Sequence, residues 1–244
     1  MGGRKMHEAW AMKCKAGSLK RVLLASCFLF LASFLFSCAT SFDAKGKFHR
    51  VQSGETIWRV AKAYRVSVQD LAELNNIEDG TKIGPGTRLY LPDRPKKESF
   101  KKLPRKEREQ LFNAPIQTDR TRFVWPVGGT VVSNFGIRNG RRHDGIDIAA
   151  RSGTVIRAAA AGKVVFSSRL GGYGNTIIIR HDDNFFTTYA HNRQNKAKKG
   201  ATVKKGQIIG FVGATGNATG AHIHFEIRHG QKARNPLFFL PVKK

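Results

Sequence analysis

Apolar residues recur along this chain in three rhythms, and each predicts a different element. Ile57, Val60, Ala61 and Tyr64 follow an i, i+3, i+4, i+7 spacing, which is one stripe of a helix with Ser53 placed to cap its start. Ser67-Val68-Gln69-Asp70 opens a second helix in capping-box fashion, and Asn75-Asn76 ends it. Flanked by residues 48–52 and 88–92, the stretch reads strand, helix, helix, strand. From Phe123 onward the rhythm changes to short apolar runs between Gly-rich turns, such as Gly162–Phe166, Asn175–Ile179 and Phe185–Tyr189. That half is mainly β, and about 120 residues can bury one core. The third rhythm is the uninterrupted apolar run Val22–Phe36, preceded by Lys13, Lys15, Lys20 and Arg21. It is too short for a comfortable membrane span and reads as an export signal.

These rhythms divide the chain into a signal (1–37), a spacer (38–47), a small α+β module (48–92), a linker (93–122) and a C-terminal β domain (123–244). The linker is rich in Lys and Arg, punctuated by Pro95, Pro104 and Pro115, and poor in large apolar residues. A short helix after Pro104, over Arg105–Phe112, suits proline's place at a helix start, but nothing in the sequence predicts that it packs. As a loose coil of about thirty residues it would span on the order of 30 Å.

The C-terminal domain carries the candidate chemistry. His143-Asp144-Gly145-Ile146-Asp147 and His222-Ile223-His224 are its two histidine clusters, with His191 between them. His143, Asp147 and His224 offer two nitrogen donors and one carboxylate, a set that gives zinc three protein bonds and leaves a fourth position for water. On a strand, i and i+2 share a face, so His222 would sit free beside the metal histidine, with His191 a second proton-handling partner. The reaction implied is hydrolysis of an amide. Glu226, two residues beyond His224, is either a hydrogen-bond partner holding that imidazole's tautomer or half of a cross-strand salt bridge. Asp144 is read as a loop cap, His181 as a strand end facing solvent or a turn, and His49 and His229 as exposed.

Around these clusters stand Ser133-Asn134-Phe135-Gly136-Ile137-Arg138, Gly171-Gly172-Tyr173-Gly174-Asn175, Val203–Gly210 and Gly213–Ala221. With them, the stretch from Phe123 to Leu240 resembles the lysostaphin/LytM-type zinc metallopeptidases. The resemblance implies an antiparallel sheet with a groove floored by Zn2+, metal ligation by His143, Asp147 and His224, and catalytic roles for His191 and His222 on the peptide part of peptidoglycan. Some members carry a tyrosine shortly before the first histidine, and here Ile137, Arg138 and Asn139 stand there.

Residues 48–92, from Phe48-His49-Arg50-Val51-Gln52-Ser53-Gly54-Glu55-Thr56-Ile57-Trp58 to Arg88-Leu89-Tyr90-Leu91-Pro92, resemble a LysM domain, a βααβ module that binds N-acetylated sugars of peptidoglycan. Sugar contacts are implied for Ser53, Gly54, Glu55 and Thr56 in one loop and for Asn76, Ile77, Glu78, Asp79 and Gly80 in the other. Trp58 and Tyr64 are read as packing residues. Leu35-Phe36-Ser37-Cys38 resembles a lipobox, which implies cleavage before Cys38 and its lipidation. Met12, followed by Lys13, makes a more ordinary start for such a signal than Met1. Loss of the signal removes Cys14 and Cys27 and leaves no internal disulfide.

Net charge is +26, from 43 basic and 17 acidic residues. Nucleic acid is the first partner such a charge suggests, but export removes it from that compartment and favours anionic wall polymers, stem-peptide carboxylates or lipid head groups. The expected location is the cell envelope, with a lipid anchor in the outer membrane facing the periplasm in a Gram-negative host. Two functions follow. The leading one is a zinc endopeptidase of peptidoglycan in wall remodelling. The other rests on lipoproteins of the same layout whose peptidase-like domain is noncatalytic and activates a cell-wall amidase in cell separation, which would make an amidase or another division protein the partner.

Overall fold

The structure is a computed structural model that describes residues 47–93 and 102–243. The signal, Cys38 and the first part of the linker lie outside the described residues. Among those described, no helix is long and apolar enough to cross a membrane.

The N-terminal module is built as β1 (Phe48–Arg50), α1 (Ile57–Tyr64), α2 (Val68–Leu74) and β2 (Arg88–Tyr90). β1 and β2 pair antiparallel with Phe48 opposite Tyr90. The helical stripe becomes the core, where Ile57, Val60 and Ala61 meet Leu71, Ala72 and Leu89, with Trp58 and Tyr64 packed against them. Burying each of the larger side chains contributes roughly 1.5–3 kcal/mol. The cap of α1 is corrected. Thr56 rather than Ser53 accepts the Arg59 N–H, at 3.3 Å, because Gly54, at φ 78°, turns the chain before the helix can begin. Ser67 caps α2 as the sequence indicates, accepting from the Asp70 N–H. His49 is also corrected, since it is partly buried against Glu55 Oε2 at 2.6 Å and the Tyr64 hydroxyl at 3.2 Å.

The described part of the linker is not a loose coil. Helix α3 (Arg105–Asn113) packs on α1 and α2 through the buried Phe112. The chain after it is held as well. Trp58 Nε1 donates to the Ala114 carbonyl at 3.3 Å, and the Gln69 side chain bonds both the N–H and the C=O of Gln117, at 2.8 and 3.0 Å. One aromatic anchor and a few backbone bonds do what no apolar stripe announced.

The C-terminal domain contains β3 (Thr130–Ser133), β4 (Gly136–Arg138), β5 (Arg141–His143), β6 (Ile146–Ala149), β7 (Val155–Arg157), β8 (Gly162–Leu170), β9 (Gly174–Arg180), β10 (Phe185–Asn195), β11 (Thr202–Val203), β12 (Ile208–Val212), β13 (His222–His229) and β14 (Lys232–Arg234). Its main sheet runs β11-β8-β9-β10-β13-β6-β3, with β12 joining β10 to β7 and β14 added to β13. All these pairings are antiparallel, and β4 and β5 form a separate hairpin. Inward residues of the central strands, including Ile146, Ile148, Ile177, Ile179, Tyr189, Ile223, Phe225 and Ile227, form one apolar core. The fold is mainly β, as the alternating runs indicate.

His181 is a further correction. It is buried, with Nδ1 2.7 Å from the Ala161 carbonyl and Nε2 2.8 Å from Thr187 Oγ1, and it plays no part in the histidine cluster. Burial lowers its pKa. His229 is exposed and lies against the Phe185 ring.

The two domains are docked. Glu73 at the end of α2 is 3% exposed and bonds Arg234 Nε through both carboxylate oxygens, each at 3.0 Å. Fully buried Asn235 donates its side-chain amide to the Glu73 carbonyl and to Asn76 Oδ1, both at 2.9 Å. Asn76 Nδ2 in turn donates to the Phe135 carbonyl at 3.1 Å.

Candidate metal centre

Three adjacent strands and one hairpin assemble the site. β6 and β13 pair with Asp147 directly opposite His224, and β10 and β13 pair with Ala190 opposite His224. Asp147, His222, His224 and His191 are therefore delivered by neighbouring strands, and His143 arrives at the end of the β4–β5 hairpin. Gly145 permits the approach. A Cβ there would lie 2.4 Å from the Phe225 carbonyl oxygen and 2.9 Å from His224 Cε1.

His143 Nε2, His224 Nδ1 and Asp147 Oδ1 converge. The two nitrogens are 3.1 Å apart and lie 3.1 and 2.9 Å from the carboxylate oxygen. Each ring's other nitrogen is engaged, which assigns the tautomer. His143 Nδ1 sits 2.7 Å from the Asn134 carbonyl, and His224 Nε2 sits 3.1 Å from Glu226 Oε1. With those nitrogens carrying protons, two imidazole lone pairs and an anion aim at one point. That arrangement repels itself unless a cation or a proton sits there, so the donor set fits a divalent metal.

The electrostatics agree. Burial opposes charge on Asp147, yet with protons rather than a metal in the cluster, hydrogen bonds from His143 and His224 hold its pKa well below the usual carboxylate range. Burial also opposes charge on His224, but Asp147 and Glu226 raise its pKa to about 9, so proton and metal compete for the same Nδ1. Glu226 is a tautomer-holding partner and a salt-bridge member at once. It accepts from Tyr173 Oη at 2.6 Å and from Arg228 Nη1 at 3.0 Å, and these bonds with His224 bring its pKa to about 2 against the effect of burial.

His191 and His222 flank this group with ring centroids 4.9 Å apart. Each ties Nδ1 to a backbone carbonyl, His191 to Thr215 at 2.8 Å and His222 to Gly220 at 2.9 Å. His222 Nε2 is 4.0 Å from Asp147 Oδ1. His191 adopts a left-handed conformation, φ 63°, where β10 bulges between Tyr189 and Asn192. Its pKa is lowered by burial.

Other participants carry no sequence signal or a weak one. Arg138 Nη1 bonds Asp147 Oδ2 at 3.2 Å and Ser133 Oγ at 2.8 Å. The Tyr173 ring stands edge-on to His224 at 5.4 Å. Asp144 accepts from Arg142 Nε at 2.6 Å rather than facing the cluster.

A protein-family model for Peptidase family M23 matches residues 141–236, and one for the LysM domain matches residues 49–92. Over 236 residues the chain is 33% identical to "Uncharacterized lipoprotein YgeR" of Escherichia coli K12, covering 92% of this chain and 93% of that one. The chain belongs to peptidase family M23. It is also 43% identical over 132 residues to "Murein hydrolase activator NlpD" of the same organism, an alignment that takes in 54% of this chain and 33% of NlpD, so the match spans about a third of that relative's length. Among solved structures it is similar to a zinc-containing peptidase from Vibrio cholerae at 30% identity, covering 51% of this chain and 41% of that one, with a TM-score of 0.45. The M23 domain thus coincides with the candidate metal centre, and the LysM domain with the βααβ module.

Of the implied glycan-contacting residues, Ser53, Gly54, Thr56, Asn76, Glu78 and Asp79 are exposed, whereas Glu55 and Ile77 are partly covered and Gly80 is buried. Asn76 and Glu78 are also engaged elsewhere, Asn76 with the M23 domain and Glu78 with Arg120. A Cβ on Gly80 would lie 2.7 Å from atoms of Ile57 and Trp58.

Proposed function

We propose that this protein is a peptidoglycan-directed lipoprotein of the cell envelope that switches on a cell-wall amidase, with the M23 domain as its acting surface. The observation that carries this reading is the 43% identity to a murein hydrolase activator over 132 residues. The sequence adds support, because Ile137, Arg138 and Asn139 stand where some members of the family carry a tyrosine shortly before the first histidine. The LysM domain supplies wall binding. Cys38 is the lipid-bearing residue, and the outer membrane is its destination. In an assay of amidase acting on purified sacculi, adding the mature protein is expected to raise stem-peptide release several-fold. Unchanged release would defeat the proposal.

A second reading is favoured by the convergent lone pairs of His143 and His224 beside Asp147, namely zinc-dependent cleavage of peptidoglycan peptides. Zn2+ held by these residues would supply Lewis acidity and a water acidified to a pKa of about 7. His191 and His222, with Nδ1 fixed on carbonyls, would each present Nε2 to take a proton and to steady charge on the attacked carbonyl. New peptide termini from sacculi treated with the protein alone, and their loss with a chelator, would establish this activity.

A further inference from the structure

Between LysM strand β2 and the β3–β4 segment of the M23 domain lies an open cleft of about 460 Å³. Arg88 and Tyr90 line one wall, and Val132, Ser133 and Arg138 line the other. The walls are held in register by the docking bonds of Glu73, Asn76 and Asn235, so the cleft is part of the fold. It lies apart from the loop Ser53–Thr56, while Asn76, the first residue of the second loop to which the LysM resemblance assigns sugar contacts, lines it.

The two ends of the cleft differ in chemistry. At the LysM end the Arg88 guanidinium lies 4.5 Å from the Phe48 ring centroid and 5.1 Å from that of Tyr90, and its Nη2 donates to Tyr90 Oη at 2.6 Å. Two aromatic rings and one bond thus pre-orient a cation whose fork of five N–H donors matches a carboxylate or the acyl oxygen of an amide. At the other end, Arg138 uses Nη1 for both Ser133 and Asp147, and Ser133 Oγ is 3.4 Å from His143 Nδ1. A ligand filling the cleft would reach from the LysM sheet to the side chains that touch the metal cluster. Val132, 62% exposed on the M23 wall, offers an apolar contact along the way.

We propose that this interdomain cleft binds a muramoyl peptide, with the N-acylated sugar against Tyr90 and Arg88 and the peptide lying along Val132 toward Arg138. This rests on the reading of the chain as peptidoglycan-directed and adds where the wall polymer lies and which part of it faces the cluster. The site favours sugars that carry a peptide over plain N-acetylglucosamine, because the peptide adds a carboxylate for the second guanidinium to the acyl group that both supply. Plain N-acetylglucosamine oligomers fill half of it.

The test uses the mature full-length chain. Calorimetric titration compares a soluble disaccharide tetrapeptide from digested peptidoglycan with an N-acetylglucosamine oligomer, and a parallel assay measures retention on purified sacculi. The peptide-bearing sugar is expected to bind more tightly. Arg88→Ala, at an exposed position, is expected to weaken it about tenfold, the scale of one lost charge-assisted hydrogen bond, and Val132→Asp, which sets a like charge beside the bound carboxylate, is expected to weaken it by a similar factor, while Lys198→Ala, exposed between β10 and β11 and away from the cleft, changes it little. If wild type is retained on sacculi and both cleft variants keep wild-type affinity for the muramoyl peptide, the cleft is not the site and the wider reading survives. If wild type is not retained at all, both fall.

Discussion

Glu73 of the LysM domain and Arg234 of the M23 domain form an ion pair across 161 residues of sequence, with Arg234 Nε 3.0 Å from both carboxylate oxygens. The Asn235 N–H also donates to Glu73, at 3.1 Å, so the carboxylate is the hub of the interface. Glu73→Ala leaves Arg234 partly buried without its counter-charge and Asn235 short of an acceptor. Breaking such a pair typically costs about 3–5 kcal/mol. Denaturant unfolding of the full chain should show a loss in that range, with the LysM domain melting apart from the M23 domain. A loss below about 1 kcal/mol would mean that the docking is incidental.

Gly145→Ala should weaken metal binding about tenfold or more, because its Cβ would press on the Phe225 carbonyl and the His224 ring. Chelator competition with the purified protein measures this. Gly128→Ala, which meets nothing within 4 Å, is the control and should bind as wild type.

Glu226 fixes the His224 tautomer, so Glu226→Ala should cost roughly 10–100-fold in metal affinity, as such supporting partners generally do. The same competition assay reads it. Tyr173→Phe removes only one of the bonds to Glu226 and should have a smaller effect in the same direction. Equal affinity in wild type and Glu226→Ala would show that His224 needs no such support.

His181 sets a pH dependence of stability away from the metal centre. Its pKa is lowered in the folded state, so below the unfolded value of about 6.5 the unfolded chain binds a proton that the folded chain refuses. Its contribution is complete above that value and declines as pH falls toward the folded pKa. His181→Gln, which can keep both hydrogen bonds, should show a smaller loss of stability than wild type between pH 6.5 and 5. Parallel curves for the two proteins would contradict this.

Much of the cluster was legible because it depends on local rules. The i, i+2 spacing of His222 and His224 puts both on one strand face, and the α1 stripe of Ile57, Val60 and Ala61 becomes a core by simple periodicity. The cap residue was less legible, since Ser53 and Thr56 are both good caps and only the turn at Gly54 chooses between them. The domain docking was not legible at all. Glu73, Arg234 and Asn235 read as ordinary polar residues, Asn76 reads as a helix end and an implied sugar contact, and nothing local links positions so far apart. The same holds for the carbonyls of Asn134 and Thr215, which orient His143 and His191 through backbone atoms that every residue possesses. The span of helix α3 was legible from Pro104 onward, but its packing was not, because Phe112 is its buried residue and one aromatic residue makes no stripe.

The most direct test of the proposed function is amidase stimulation by a His191→Ala/His222→Ala double variant. Stem-peptide release from purified sacculi by the amidase would be measured with no addition, with wild type and with the variant. The account predicts that both proteins stimulate release to a similar degree and that neither alone creates new peptide termini. Loss of stimulation in the variant, together with new termini from wild type alone, would contradict it and identify the protein as a peptidase in its own right.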